Sequence, residues 1–289
     1  MKKEVKNIEF PGIEVSAGSE TEIGRTTEAI YSDHVWWKKL RTGFWWPIDF
    51  SGAIDIGKKP PMMRFWGYQH LDCSGRANSK LRYMFIANLQ EYGLDVLKPN
   101  DRNEIRQSFR NLTIRKIRDF DEKEARRARE CWNDLVERTN WRDKMSEEVF
   151  LRYWKNLLTL PGHNVIGSYY DGQLVGWLVG VIYNNGNCYI TRYASLTSFF
   201  KLRVNNGLVF AFLISAKQFC AKTVNFGLFI PDRPGLDKFK MNMGFKLMAF
   251  PAYTFINPVI RPFVLRLFGR EIGRLTGWEP KSINGNIEG

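Results

Sequence analysis

A chain of 289 residues has room for one large domain or two modest ones, each with its own core. Its 44% hydrophobic and 15% aromatic residues exclude disorder as the dominant state. The formal net charge of +13 is uneven, with thirteen Lys or Arg against five Asp or Glu in residues 201–289; such a half suits an anionic partner (cofactor phosphate, nucleic acid or lipid headgroup) or is simply a basic soluble surface.

In chain order, residues 1–30 lack hydrophobic periodicity and read as a loose lead-in with no secretory signal. Residues 31–68 set Trp36, Trp37, Trp45, Trp46 and Trp66 among Gly and Pro, the pattern of short strands and turns with aromatic anchors. From Asn78 to Tyr92, Leu81, Met84, Phe85 and Leu89 recur at helical spacing, which predicts a helix stopped by Gly93 and followed by a strand over 94–97. Asn100 or Asp101 then caps a helix with Arg102, Arg106 and Arg110 at four-residue steps, either a row of phosphate anchors or a solvated face partnered by Asp101 and Glu104. A strand is expected over 113–117.

Residues 122–139 and 146–158 read as amphipathic helices, the second opened by Ser146 with Glu147 and Glu148 in its first turn. Strands over 164–170 and 173–183 flank Asp171-Gly172, a type I′ hairpin signal, and Asn184-Asn185-Gly186 leads into a third strand over 187–194. Residues 206–220 are apolar nearly all round and predict a helix buried against that sheet. A strand over 223–229, a short helix over 234–243 and strands over 245–255 complete the core. Residues 257–278 set Ile260, Val264, Leu267, Phe268, Ile272 and Leu275 against Arg261, Arg266, Arg270 and Arg274, an amphipathic basic helix for its own N-terminal lobe or for a membrane surface. Cys73, Cys131, Cys188 and Cys220 form no C-x-x-C pair, so reduced, mostly buried thiols are expected and no metal site is signalled. The longest apolar runs, 174–182 and 207–216, are too short to cross a bilayer, and a cytoplasmic location is expected.

The order helix, helix, three antiparallel strands, buried helix, strand, helix, strand resembles the GNAT fold. The expected class is therefore α/β (α+β), a mixed, mainly antiparallel sheet flanked by helices, with a smaller or partial GNAT-like lobe ahead of it. The corresponding boundaries are a lead-in over 1–30, an N-terminal lobe over 31–111, an acyltransferase domain over 112–258 and a basic C-terminal segment over 259–289. The resemblance implies acyl-CoA as donor (acetyl-CoA or longer), its pyrophosphate resting on backbone N–H groups at the start of the buried helix. That position falls on SFFKLRVNNG, with Lys201, Arg203, Asn205, Asn206 and Gly207 as donor-binding residues. There Gly207 would let a ligand approach the backbone; the asparagines equally suit plain helix capping.

Two departures narrow the resemblance. RVNNGL does not match the Q/R-x-x-G-x-G/A turn of conventional members, and NCYITRYAS lacks the carboxylate that often serves as base. In GLDKFKMNMGF, Phe239 and Gly244-Phe245 match the conventional F-Y-x-x-x-G-F, but Lys240 replaces the tyrosine. A Phe-Lys pair there resembles the FemAB-like peptidyltransferases, and NDRNEIRQSFRNLTIRKI resembles their linker between two lobes. This implies Lys240 at the acyl-transfer centre, steadying an oxyanion or a phosphate; an exposed helix face is the alternative for that residue. Asp232 and Asp237 are the nearby carboxylates offered as base or cap. The implied acceptor is a small-molecule or lipid-linked amine, with no metal. An aminoacyl-tRNA is the second donor class, although no coiled-coil arm is present. A non-catalytic protein of the same fold, holding nucleic acid or an anionic membrane, is the reading from a different class.

Overall fold

The computed structural model describes residues 13–27, 29–41, 43–55, 58–60, 66–140, 144–229, 234–263 and 266. In chain order the elements are α1 (Glu20–Thr26), β1 (Ile30–Ser32), β2 (Val35–Arg41), β3 (Phe44–Pro47), β4 (Ala53–Ile54), β5 (Gly67–Asp72), β6 (Ser79–Ile86), α2 (Pro99–Asn111), β7 (Thr113–Ile117), α3 (Glu122–Thr139), α4 (Glu147–Thr159), β8 (His163–Tyr170), β9 (Gln173–Ile182), β10 (Asn187–Ser195), α5 (Val204–Gln218), β11 (Thr223–Leu228), α6 (Pro234–Asn242) and β12 (Lys246–Ile256). They fall into two compact units interleaved along the chain. The first holds Ile86–Val224, Asn242–Gly244 and the described part of Met1–Gly18; the second holds Ser19–Phe85, Asn225–Met241 and the described part of Phe245–Gly289.

The first unit is built on an antiparallel sheet in the order β10-β9-β8-β7. Asp171 and Gly172 both take positive φ, 47° and 75°, as the type I′ turn between β8 and β9 requires. Because side chains alternate along β9, its two faces meet different helices. Trp177 packs with Trp132 of α3 and Trp154 of α4, its ring centroid 5.2 Å from that of Trp154, and its indole N–H donates to the Ala128 carbonyl at 2.9 Å. On the other face Gly180 leaves room for Phe212 of α5, whose Cζ would lie 2.0 Å from any Cβ at 180. Such aromatic contacts contribute roughly 0.5–1.5 kcal/mol each beyond the area they bury. Helix α5 is therefore enclosed nearly all round, which explains why its apolar residues show no single stripe. Asp121 caps α3 by accepting from the Glu124 N–H at 2.7 Å, and Ser146 caps α4.

In the second unit the strand order is β1-β2-β3-β5-β12-β6, with β4 also on β5. The expected helix over 78–92 is strand β6, followed by a short 3₁₀ turn at Leu89–Glu91 that belongs to the first unit. Leu81, Tyr83 and Phe85 alternate into a core with Leu71 and Ala252, and the pairing with β12 outweighs the helical spacing. Residues 94–97 form turns instead of a strand. Helix α2 begins two or three residues earlier than expected: its N-cap is Lys98, not Asn100 or Asp101, and its first residue is Pro99, whose missing N–H costs nothing in a first turn. The expected strands over 245–255 are the single strand β12.

Candidate functional site

Within the first unit, a 3₁₀ turn at Thr197–Leu202 runs into Arg203, which takes φ 61° and serves as N-cap residue of α5 without any side-chain cap bond. The N–H groups of the first turn of a helix have no acceptor within it, so Val204, Asn205 and Asn206 present donors here. The side chains around them are already engaged. Glu104 of α2 holds two: its Oε1 lies 3.1 Å from Arg203 Nη2, and its Oε2 accepts from Asn206 Nδ2 at 3.1 Å. Asn205 Oδ1 accepts from the Ser195 hydroxyl at 2.8 Å. Lys201 is exposed, and its carbonyl accepts from Gln107 Nε2 at 2.9 Å.

Gly207 is buried, and the space a side chain would need is taken by α2 and β7: a Cβ at 207 would lie 2.0 Å from Ser108 Oγ and 2.7 Å from Ile114 Cδ1. The five residues that the sequence grouped are thus one contiguous corner, with Lys201 and Arg203 facing water and Asn206 and Gly207 inside. Sequence reading passed over Glu104 as an organiser of this corner. The signal was its place on the inner side of the arginine-rich helix, where a carboxylate with no partner on that side needs a cation from elsewhere.

Lys240 belongs to the second unit, on α6, with only 4% of its side chain exposed. Its Nζ lies 3.6 Å from Asp237 Oδ1, donates to the Leu228 carbonyl at 3.3 Å and sits 5.4 Å from the centroid of the Phe226 ring. Asp237 and Lys240 are three residues apart and share a helix face. The exposed-face alternative for Lys240 does not hold. Burial pulls its ammonium below the ordinary lysine range, and the Asp237 carboxylate partly offsets that. Asp237 is buried beside the lysine, and Asp232 lies outside the described residues.

Cys131 and Cys188 are buried, whereas Cys73 and Cys220 are exposed, and all four are free. Among the described residues no group of His, Cys, Asp or Glu is placed to hold a metal ion, and no helix is long and apolar enough to cross a membrane. The C-terminal basic segment is described only at 259–263 and 266, where Val259 and Phe263 are exposed; Arg270, Arg274 and the rest of the amphipathic pattern lie outside the described residues.

No protein-family model matches the chain, and no curated protein does. Solved structures do match over nearly its whole length. The L-PGS of Bacillus licheniformis superimposes with a TM-score of 0.56 at 11% identity, covering 89% of this chain and 93% of the other. FemX gives a TM-score of 0.55 at 10% identity over 90% and 96%. A chain assigned as the C-terminal domain of a lysylphosphatidylglycerol synthetase from Agrobacterium fabrum gives 0.55 at 11% identity over 89% and 93%. The strand and helix order and these superpositions together show that the chain shares the fold of FemX and of the L-PGS chain, a mixed and mainly antiparallel sheet flanked by helices, as the resemblance implied.

Proposed function

We propose that the protein is an N-acyltransferase that moves an acyl or aminoacyl group from an activated carrier to an amine, with Lys240 at the reacting carbonyl. The observation that carries this reading is the buried Lys240, held by Asp237 and the Leu228 carbonyl over Phe226. Burying a lysine costs stability that its partners only partly offset, and ionisable groups held in this way are concentrated at functional sites. When the amine attacks, the new C–N bond puts negative charge on the carbonyl oxygen, and a preorganised ammonium stabilises that charge best in a water-poor setting. Collapse then breaks the bond to the carrier's sulfur or oxygen, which needs a proton. An ammonium weakened by burial is the better acid for that step. The attacking amine gives its own proton to solvent or to a base.

For the donor we favour a CoA-type thioester, with its phosphates at the first turn of α5 beside Lys201 and Arg203. The N–H groups of Val204, Asn205 and Asn206 would supply the remaining contacts. A second donor, aminoacyl-tRNA, draws support from α2. There Arg102, Arg106 and Arg110 form no ion pair among the described residues, and the step between them suits successive phosphates. The shared fold with FemX and with a chain named for lysylphosphatidylglycerol synthesis also supports an aminoacyl group. The acceptor is a small-molecule or lipid-linked amine. The C-terminal basic segment would bring the protein to a membrane surface in the lipid-linked case.

Calorimetric titration with acetyl-CoA, a long-chain acyl-CoA and aminoacyl-tRNA tests the donor directly. Saturable binding of one donor class is expected, with a steep loss in salt for the tRNA alone. Absence of binding by all three would favour the non-catalytic reading, a GNAT-fold protein that holds nucleic acid or an anionic surface through its arginines.

A further inference from the structure

Strand β10 loses register with β9 between Ile190 and Arg192. Thr191 is the residue without a partner across the ladder, and its hydroxyl donates to the Val179 carbonyl at 3.2 Å. Such a bulge re-aims the side chains beside it. Here it aims Arg192 at α4, where the guanidinium lies 4.8 Å from the centroid of the Tyr153 ring, and Tyr153 is itself packed on Phe150 at 5.8 Å.

At two other described places in the first unit a guanidinium is stacked on a ring: Arg115 on Tyr169 at 4.2 Å and Arg138 on Phe200 at 4.7 Å. Each of those also has a carboxylate, with Glu124 Oε1 3.3 Å from Arg115 Nη2 and Asp134 Oδ1 3.7 Å from Arg138 Nε. Arg192 is half-buried and forms no ion pair among the described residues. Stacking occupies the face of a guanidinium and leaves the N–H donors at its edge. Burial has taken water from this charge without supplying a counterion, and a bound oxyanion would supply one.

The position of Arg192 decides which substrate brings the oxyanion. It lies three residues before Ser195, whose hydroxyl bonds Asn205 in the corner assigned to the donor, a separation of roughly 10 Å along the strand. Its partner Tyr153 is on α4, and α4 and α5 cover opposite faces of this sheet. Arg192 is therefore turned away from the first turn of α5, and the anion it suits belongs to the other substrate of the transfer.

We propose that Arg192 binds an oxyanion on the acceptor, so that the acceptor is an amine that also carries a singly charged carboxylate or phosphodiester. One guanidinium balances one negative charge, and its fork fits two oxygens of either group. The role of the ligand as acceptor rests on the acyltransferase reading; the preference for an anion does not.

The test is calorimetric binding to the full chain at constant ionic strength, without donor. The probes are aminohexanoate, glycerophosphoethanolamine and, as the control that lacks an anion, hexylamine. The wild type is expected to bind one anionic amine about tenfold or more tightly than hexylamine. Preference for aminohexanoate supports a carboxylate-bearing acceptor, and preference for glycerophosphoethanolamine supports a phosphodiester of the lipid-linked kind. Arg192→Gln, checked by thermal melting, is expected to lose the preference, and Arg192→Lys to keep only part of it because a lysine lacks the fork. Equal affinity for the three probes in the wild type, no saturable binding of any, or an undiminished preference in both variants would overturn the proposal. Amide formation is measured separately. An Arg192-dependent preference without amide from any donor would sink the acyltransferase reading and leave the anion site standing; amide formation without that preference would sink the anion site alone.

Discussion

Gly207 of α5 and Ser108 of α2 approach so closely that a Cβ on the glycine would stand 2.0 Å from the serine hydroxyl oxygen. The two helices meet there, also through Phe109 and Phe210, whose ring centroids are 6.2 Å apart. Gly207→Ala is expected to destabilise the protein by about 1–3 kcal/mol, since overpacking outweighs the gain in helix propensity. Ser108→Gly in the same chain should recover part of that loss. Urea denaturation of the two variants checks this; an unchanged midpoint for Gly207→Ala would show that the helices separate freely.

Lys240 and Asp237 are expected to behave as a unit. Lys240→Met alone takes the ammonium away from a buried carboxylate and should cost about 3–5 kcal/mol. Adding Asp237→Asn removes the charge as well, and the double variant should return most of that stability. Denaturation of both single variants and the double variant gives the coupling energy, and additive effects would mean that the 3.6 Å pair contributes nothing.

His70 predicts an acid-sensitive second unit. A carbonyl only accepts, so the 2.9 Å contact with the Leu71 oxygen places the proton on Nδ1 and leaves the buried Nε2 bare. Burial lowers the pKa below 6.5, against the Leu71 carbonyl, Asp72 and Asp55. The unfolded histidine then binds a proton that the folded one refuses. The stability that His70 contributes is full above about pH 6.5 and declines as the pH falls toward the folded pKa. His70→Asn should flatten the stability difference between about pH 7.5 and about pH 5.5, measured by chemical denaturation; an identical slope in the variant would exclude His70 as its source.

The first unit was the more legible half. Ser146 and Asp171-Gly172 act through local chemistry that needs no distant partner, so that cap and the hairpin stood in the sequence as they stand in the fold. Strand β6 was misread because Leu81, Met84, Phe85 and Leu89 satisfy helical spacing as well. Only pairing with β12, more than 150 residues away, decides between the two. At the α5 corner the sequence marked Lys201 to Gly207 as neighbours. It did not disclose that Glu104 would tie Arg203 and Asn206, or that Gly207 makes room for a helix. The Arg115, Glu124 and Tyr169 cluster was invisible for the same reason: its members lie on a strand, a helix and a hairpin with no common motif.

The central claim is that Lys240 acts on a transferring carbonyl, and turnover tests it most directly. Labelled acyl-CoA and aminoacyl-tRNA are each offered with a panel of amines to the wild type and to the Lys240→Met, Asp237→Asn double variant, once that variant is shown to be folded. Amide product is expected from the wild type with one donor class, and a loss of about 100-fold or more in kcat from the double variant with donor binding retained. Wild-type turnover by the folded double variant, or no product from any donor with the wild type, would contradict the account.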